Sequence, residues 1–331
     1  MDQKIDFVIY WVDGNDPEWQ KERNRFSGET VINPCRYRDW NLLRYWFRGV
    51  EKYAPWVHKI YFVTWGHVPE WLNTAHPKLE VVRHEDYIPK EYLPTFNSSV
   101  IELWLDRIPG LGEHFVTFND DMFLTAPVSR EDFFQKGLPC EAFLMDAVAG
   151  PDPDDIFNHM MLNNANVINR YFNKKKVLRK NFFKVYYPGY GSALIRNILL
   201  TPFAYLTGFR NMHLPVSQLK RTYAEVRKLE GKRLHQMSSH RFRQTTDLTH
   251  FLLVDWRLCK GEFVPRKTGW GRHFELMNDD INEICKAIEK QTYRSVCIND
   301  SRDDLDVEAL GNRLRTSFEA ILPERSGFEK C

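Results

Sequence analysis

Along the first 120 residues, apolar positions switch between strand-like runs and helix-like spacing. Ile5 to Val12 (IDFVIYWV) is an unbroken β-branched and aromatic run. It stops at Asp13-Gly14-Asn15-Asp16-Pro17, a dense turn signal, and predicts the first strand. Between Tyr37 and Lys52, Leu42, Leu43, Trp46, Phe47 and Val50 fall at the spacing of one buried helix face. Lys59 to Thr64 predicts a second strand and Leu79 to Val82 a short third. A helix follows Asn97-Ser98-Ser99, with Ser99 and Glu102 spaced as a capping box. His114 to Phe118 predicts another strand, running straight into Asn119-Asp120-Asp121. This alternation predicts an α/β fold with a mostly parallel sheet flanked by helices. In such sheets ligands lie beyond the carboxyl ends of the strands.

After residue 150 the pattern changes. A loop from Pro151 to Asp155 precedes an Asn-rich helix and the basic run Lys174-Lys175-Lys176. Residues 182–210 carry Tyr186, Tyr187, Tyr190, Phe203, Tyr205 and Phe209 among apolar neighbours. They predict a packed helix pair, with contact to a membrane interface as the alternative. Lys220 to Glu230 predicts a charged helix and residues 305–321 a final amphipathic one, so the second half is the more helical.

The chain has 331 residues, enough for a large α/β domain with insertions or for two lobes sharing a cleft. With 27% charged and 43% hydrophobic residues, wholesale disorder is excluded. A net charge of +2 argues against nucleic acid as the partner. Aromatic residues reach 14%, which suits sugar stacking as well as core packing. The six cysteines (Cys35, Cys140, Cys259, Cys285, Cys297, Cys331) are scattered without a CxxC pair, so they read as reduced thiols. The first residues show no basic region followed by a long apolar run, and no apolar window is long enough to span a bilayer. Together these predict a cytoplasmic protein.

The strongest chemical signal is Asn119-Asp120-Asp121. Two adjacent carboxylates ending an apolar strand repel each other unless a cation or hydrogen-bond donors compensate. Hard oxygen ligands there suit Mg²⁺ or Mn²⁺ bridging to a diphosphate, although a self-capped turn would have the same sequence. Asp13 and Asp16 form a second acidic cluster at a strand end. His213, His240, Arg241 and Arg243 supply imidazole and guanidinium groups, and two arginine forks one residue apart would flank a phosphate. Pro215 disfavours helix at Leu214, which predicts His213 on an extended loop. HExxH, GxSxG and P-loop motifs are absent, and Gly189-Tyr190-Gly191 lacks the third glycine of a dinucleotide fingerprint. The sequons at Asn97 and Asn299 carry no meaning in a cytosolic chain.

Four blocks then stand in order: IDFVIYWVDGNDPEW; RYRDWNLLRYWFRGVEKYAPWVHKIYFVTWGHVPEWL with HEDYIP and LPTFNSSVIELWLDRIPGLGEHFVTFNDDMFL; His213-Leu214-Pro215 through HRFRQTTDLTHFL; and Ser295 to Asp300 (SVCIND). Together they resemble the Stealth proteins, sugar-1-phosphate transferases of bacterial capsule and exopolysaccharide synthesis. These are related to the catalytic subunit of N-acetylglucosamine-1-phosphotransferase. The resemblance implies a GT-A-like α/β core and transfer of hexose-1-phosphate from a UDP-sugar donor to a saccharide acceptor, with UMP released. It implies Asp120 and Asp121 as metal ligands, His213 as base and Arg241 and Arg243 as phosphate clamps. Asp13 and Gly14 would lie at the nucleotide end, with Asn97, Asn119 and Asn299 also binding substrate. It divides the chain into a nucleotide-sugar core (1–150), a helical aromatic insertion (151–210) and a C-terminal part completing the site (211–331). Two rivals stay open: a conventional UDP-sugar glycosyltransferase releasing UDP, and a non-catalytic carbohydrate-binding module.

Overall fold

A computed structural model describes residues 4–27, 38–150, 152–300 and 305–330. The sequence expectations touching Cys35, Tyr37, Pro151 and Cys331 lie outside the described residues. Among the rest, eleven strands follow in chain order: β1 Asp6–Tyr10, β2 Ile60–Thr64, β3 Leu79–Arg83, β4 His114–Asn119, β5 Met122–Leu124, β6 Phe134–Gln135, β7 Leu138–Glu141, β8 Val216–Leu219, β9 Val264–Pro265, β10 Gly271–Glu275 and β11 Ser295–Asn299. The helices are α1 Pro17–Ser27, α2 Leu43–Tyr53, α3 Ser98–Leu103, α4 Ile156–Tyr171, α5 Lys174–Lys180, α6 Phe182–Val185, α7 Leu194–Leu200, α8 Lys220–Ser238, α9 Phe251–Lys260, α10 Ile281–Glu289 and α11 Val307–Ile321.

The main sheet has the order β3-β2-β1-β4-β8. Its first four strands are parallel and β8 runs antiparallel to β4. This is the mostly parallel, helix-flanked α/β sheet that the alternating pattern predicts. The continuous apolar runs of β1 and β2 follow from burial on both faces. Successive side chains point to opposite faces, so Phe7 and Ile9 join one core while Val8 joins the other. On the first face α2 lays Trp46, Phe47 and Val50 against Phe62 and Phe118. On the second, α3, α8 and α9 pack Val100, Tyr223 and Leu252 around Phe115 and Val63.

A second sheet, β10-β11-β5, was not legible in the sequence. The chain leaves the main sheet at Asn119, turns through Asp120 and Asp121, and enters this second sheet at Met122. The acidic pair therefore sits where the backbone crosses between two sheets. The short strands β6, β7 and β9 form a third.

Three local readings are corrected. The Asp13–Pro17 turn also opens α1: Asp16 Oδ1 accepts from the N–H groups of Glu18 and Trp19, and Pro17 takes the first helical position. The capping box of Ser99 and Glu102 does not form. Asn97 is the N-cap of α3, its side chain accepting from the Ser99 N–H, and Glu102 is bonded to His250 instead. In the 182–210 segment α6 and α7 are short and largely solvent-facing rather than a packed pair.

Candidate active site

Parallel pairing places the carboxyl ends of β1, β2 and β4 along one edge. Tyr10 of β1 pairs with Asn119 of β4, so Asp13 and the Asp120–Asp121 turn emerge side by side. From the end of β2, His67 accepts the Asp13 N–H through Nε2 at 2.7 Å, and its Nδ1 lies 3.4 Å from Asp16. Gly14 sits in the same loop, its carbonyl accepting from Gln20. Asp39, which carries no local signal, feels the charge of Asp13 and itself bears on Asp120.

His213 reaches this edge because β8 is antiparallel. Val216 pairs with Thr117 near the end of β4, so the residues entering β8 arrive at the carboxyl edge. His213 is not simply extended: its φ is +46°, a conformation uncommon for non-glycine residues, and its N–H donates to Asn211 Oδ1. Its Nε2 lies 3.7 Å from Asp121 Oδ2, beyond direct hydrogen-bond length. The imidazole stacks on His273 of β10 at 4.9 Å between centroids. Register completes the cluster: His273 pairs with Cys297 on β11, and Cys297 pairs with Met122 on β5. Asp121, His213 and Cys297 thus bring ligand atoms within 4.8 Å of one another. Ile298 donates to the Asp121 carbonyl, which sets Asn299 beside the acidic turn.

Asp120 is exposed, but lost hydration within the acidic turn, with the charge of Asp121, pushes its carboxyl up to about 7. Burial, followed by the charge of Asp121, holds the Cys297 thiol well above its usual range, so it donates to Asp121 as a neutral group. Burial and the neighbouring His213 push the His273 imidazole down. Asp121 Oδ1 and His213 Nε2 are buried without a hydrogen-bond partner. Unpaired atoms of Asp121 and His213 could take a divalent cation, with Cys297 as the third group in reach and Asp120 the adjoining carboxylate.

Arg241, Arg243 and Asn97 form a separate group. Arg241 donates to the carbonyls of Tyr92 and Pro94 and lies over the Phe26 ring, while Arg243 donates to Ser98 Oγ at the surface. Among the described residues no contact ties either arginine to Asp120 or Asp121. Asn97 is fully buried, donating to Asp247 while capping α3. With both ends of its amide committed, it braces the start of α3 against Asp247. Asp247 also holds His240 through Nδ1 at 2.6 Å. A chain of contacts joins this wall to the acidic turn. His250 bonds Glu102, Glu102 bears on the Tyr10 hydroxyl, and Tyr10 donates to Asn119 Oδ1 at 2.7 Å. No local signal marks Tyr10, Glu102 or His273, because each acquires its role only when distant strands and helices meet.

Stealth protein conserved region 1 matches residues 3–31 and Stealth protein conserved region 2 matches residues 36–140. The capsular polysaccharide phosphotransferase WcwK of Streptococcus pneumoniae is 40% identical over 333 residues, covering 99% of this chain and 98% of that protein. The exopolysaccharide phosphotransferase cps2G of Lactiplantibacillus plantarum is 39% identical, covering 98% and 96%. Among solved structures, the galactosyltransferase LgtC in complex with donor and acceptor sugar analogs is 11% identical with a TM-score of 0.39, covering 94% and 95%. That last likeness is too distant to bear on chemistry.

Proposed function

Because this chain belongs to the Stealth family of polysaccharide phosphotransferases, we propose that it transfers a hexose- or N-acetylhexosamine-1-phosphate from a UDP-sugar to a sugar hydroxyl. The product is a phosphodiester in capsular polysaccharide or exopolysaccharide, and UMP leaves. The observation that supports this reading best is the meeting of Asp120, Asp121 and His213 at one sheet edge, from segments far apart in sequence.

Phosphoryl transfer depends on charge neutralisation and in-line positioning more than on covalent help. A sugar diphosphate entering beside Asp13, Asp39, Asp120 and Asp121 meets four carboxylates, so Asp120 and Asp121 are assigned as holders of Mg²⁺ or Mn²⁺, which would neutralise the diphosphate. His213 Nε2, without a partner of its own, takes the proton of the acceptor hydroxyl. As it does, the acceptor oxygen bonds to the sugar-linked phosphorus and the bond from that phosphorus to the UMP oxygen breaks. Asp13 and Gly14 line the nucleotide end, and Asn119 and Asn299 flank the diphosphate. Arg243, exposed beside Ser98, is assigned to a phosphate oxygen, and Arg241 braces the neighbouring segment through the Tyr92 and Pro94 carbonyls. The four described cysteines are buried and free, which supports a reducing, cytoplasmic setting.

The test is to incubate purified protein with a panel of UDP-sugars, Mg²⁺ and a saccharide acceptor, and to identify the nucleotide released. UMP supports the proposal. UDP assigns the chain to conventional glycosyl transfer, and no turnover with any cation supports a binding module.

A further inference from the structure

The acidic cleft does not account for the surface built by α5, α6, α7 and the turn after them. On α7, Ile195, Ile198 and Leu199 lie on one face and are 59%, 56% and 67% exposed. Phe203 and Tyr205 continue that face, and Phe183 on α6 is 86% exposed. These groups belong to one surface. Tyr186 of the α6 end bonds Thr201 at 2.6 Å, and Lys174 of α5 donates to the carbonyls of Leu200, Phe203 and Tyr205. Surface apolar residues are normally scattered singly, so a continuous set of this kind marks an interaction site.

Charge identifies the partner. Between Asp155 and Glu225 the sequence contains no Asp or Glu but eleven Lys and Arg, whereas the rest of the chain carries the other 35 Lys and Arg against all 44 Asp and Glu. Lys175, Lys176, Arg179 and Lys180 project from α5 beside the apolar face, and among the described residues none of them is paired with a carboxylate. We propose that this face docks on an anionic lipid bilayer, with the α6–α7 side chains entering the headgroup region and the α5 cations meeting lipid phosphates. Protruding rings and aliphatic groups bordered by basic side chains without carboxylate partners are the arrangement that binds such an interface. Two copies of the chain meeting through the same patch would set its lysines against each other, which disfavours self-association. This inference concerns where the protein sits and does not rest on the donor or the reaction.

The test is cosedimentation with phosphatidylcholine vesicles, with and without phosphatidylglycerol, using the full chain. Wild type partitions onto the phosphatidylglycerol vesicles, and added salt weakens the binding. Ile198→Ser/Leu199→Ser/Phe203→Ser lowers that partitioning at least about tenfold. Lys175→Gln/Lys176→Gln/Arg179→Gln lowers it roughly a hundredfold. All six positions are solvent-facing by more than half or lie exposed on α5, and both variants are checked for wild-type thermal unfolding. The glutamine variant, which removes no apolar packing, serves if the serine variant unfolds. Absence of wild-type binding to anionic vesicles overturns the proposal, as does equal binding by the glutamine variant. A dimer that the serine variant dissolves, with no vesicle binding, assigns the face to self-association instead.

Discussion

Asp120 gives the most direct handle on the charge of the cleft. Lost hydration in the acidic turn, then the charge of Asp121, with Asp39 behind, push its carboxyl up to about 7, against about 4 for an ordinary aspartate. A cation held by Asp120 must displace that proton, so its apparent affinity follows the ionised fraction of the residue. Affinity should be about fivefold weaker at pH 6 than at pH 7, and about tenfold weaker again at pH 5. The linkage sign is opposite for the cation-free protein. A carboxyl raised in the native state makes ionisation costly, so the contribution to stability falls as pH rises from about 4 to about 7 and is flat above. Bound cation removes that decline. Calorimetric titration with Mn²⁺ in buffers of different ionisation enthalpy measures both affinity and protons released. Asp120→Asn should bind the ion more weakly and lose the proton release. An affinity constant across this pH range, or a proton release that survives Asp120→Asn, would refute the assignment.

Removing the imidazole in His213→Ala should lower turnover by roughly two to four orders of magnitude while donor affinity, measured by titration, stays near wild type; lost donor affinity would move His213 onto the diphosphate. Arg48 is buried and bonds Glu329 at 2.7 Å, Glu319 at 3.1 Å and the Leu322 carbonyl at 3.0 Å, tying α2 to the C-terminal segment. Arg48→Met should cost ~3–5 kcal/mol in urea unfolding by leaving Glu329 buried without its cation, and adding Glu329→Met should restore part of it. Burial, with His67 nearby, lowers the His84 imidazole to about 4. The native state keeps it neutral while the unfolded chain takes up a proton, so stability falls by up to ~3 kcal/mol as pH drops from about 6.5 to about 4. His84→Asn should flatten that part of the stability profile.

The parallel half of the fold was legible because its strands are buried on both faces and write continuous apolar runs into the sequence. Ile60–Thr64 and His114–Asn119 formed within a residue of the predicted ends. The helix α1 was hidden because Asp16-Pro17 signals a turn and a helix start equally well. The second sheet was hidden because Met122–Leu124 is too short to show a period, and β10 carries Arg272 and His273 amid its apolar positions. The acidic turn announced itself through paired carboxylates. Its partners did not: Asp39, His273 and Cys297 join it through strand order and electrostatic reach, which no local pattern records. Asn97 shows the opposite difficulty, since an asparagine that caps a buried helix and one that binds a ligand look alike in sequence.

The central claim is that phosphorus, and not only sugar, moves to the acceptor. A UDP-sugar labelled at the sugar-linked phosphorus, incubated with the protein, Mg²⁺ and a saccharide acceptor, follows that atom directly. The account predicts label in the saccharide as a phosphodiester, with unlabelled UMP released in equal amount. Label recovered in UDP, with an unphosphorylated glycoside as the other product, would contradict it.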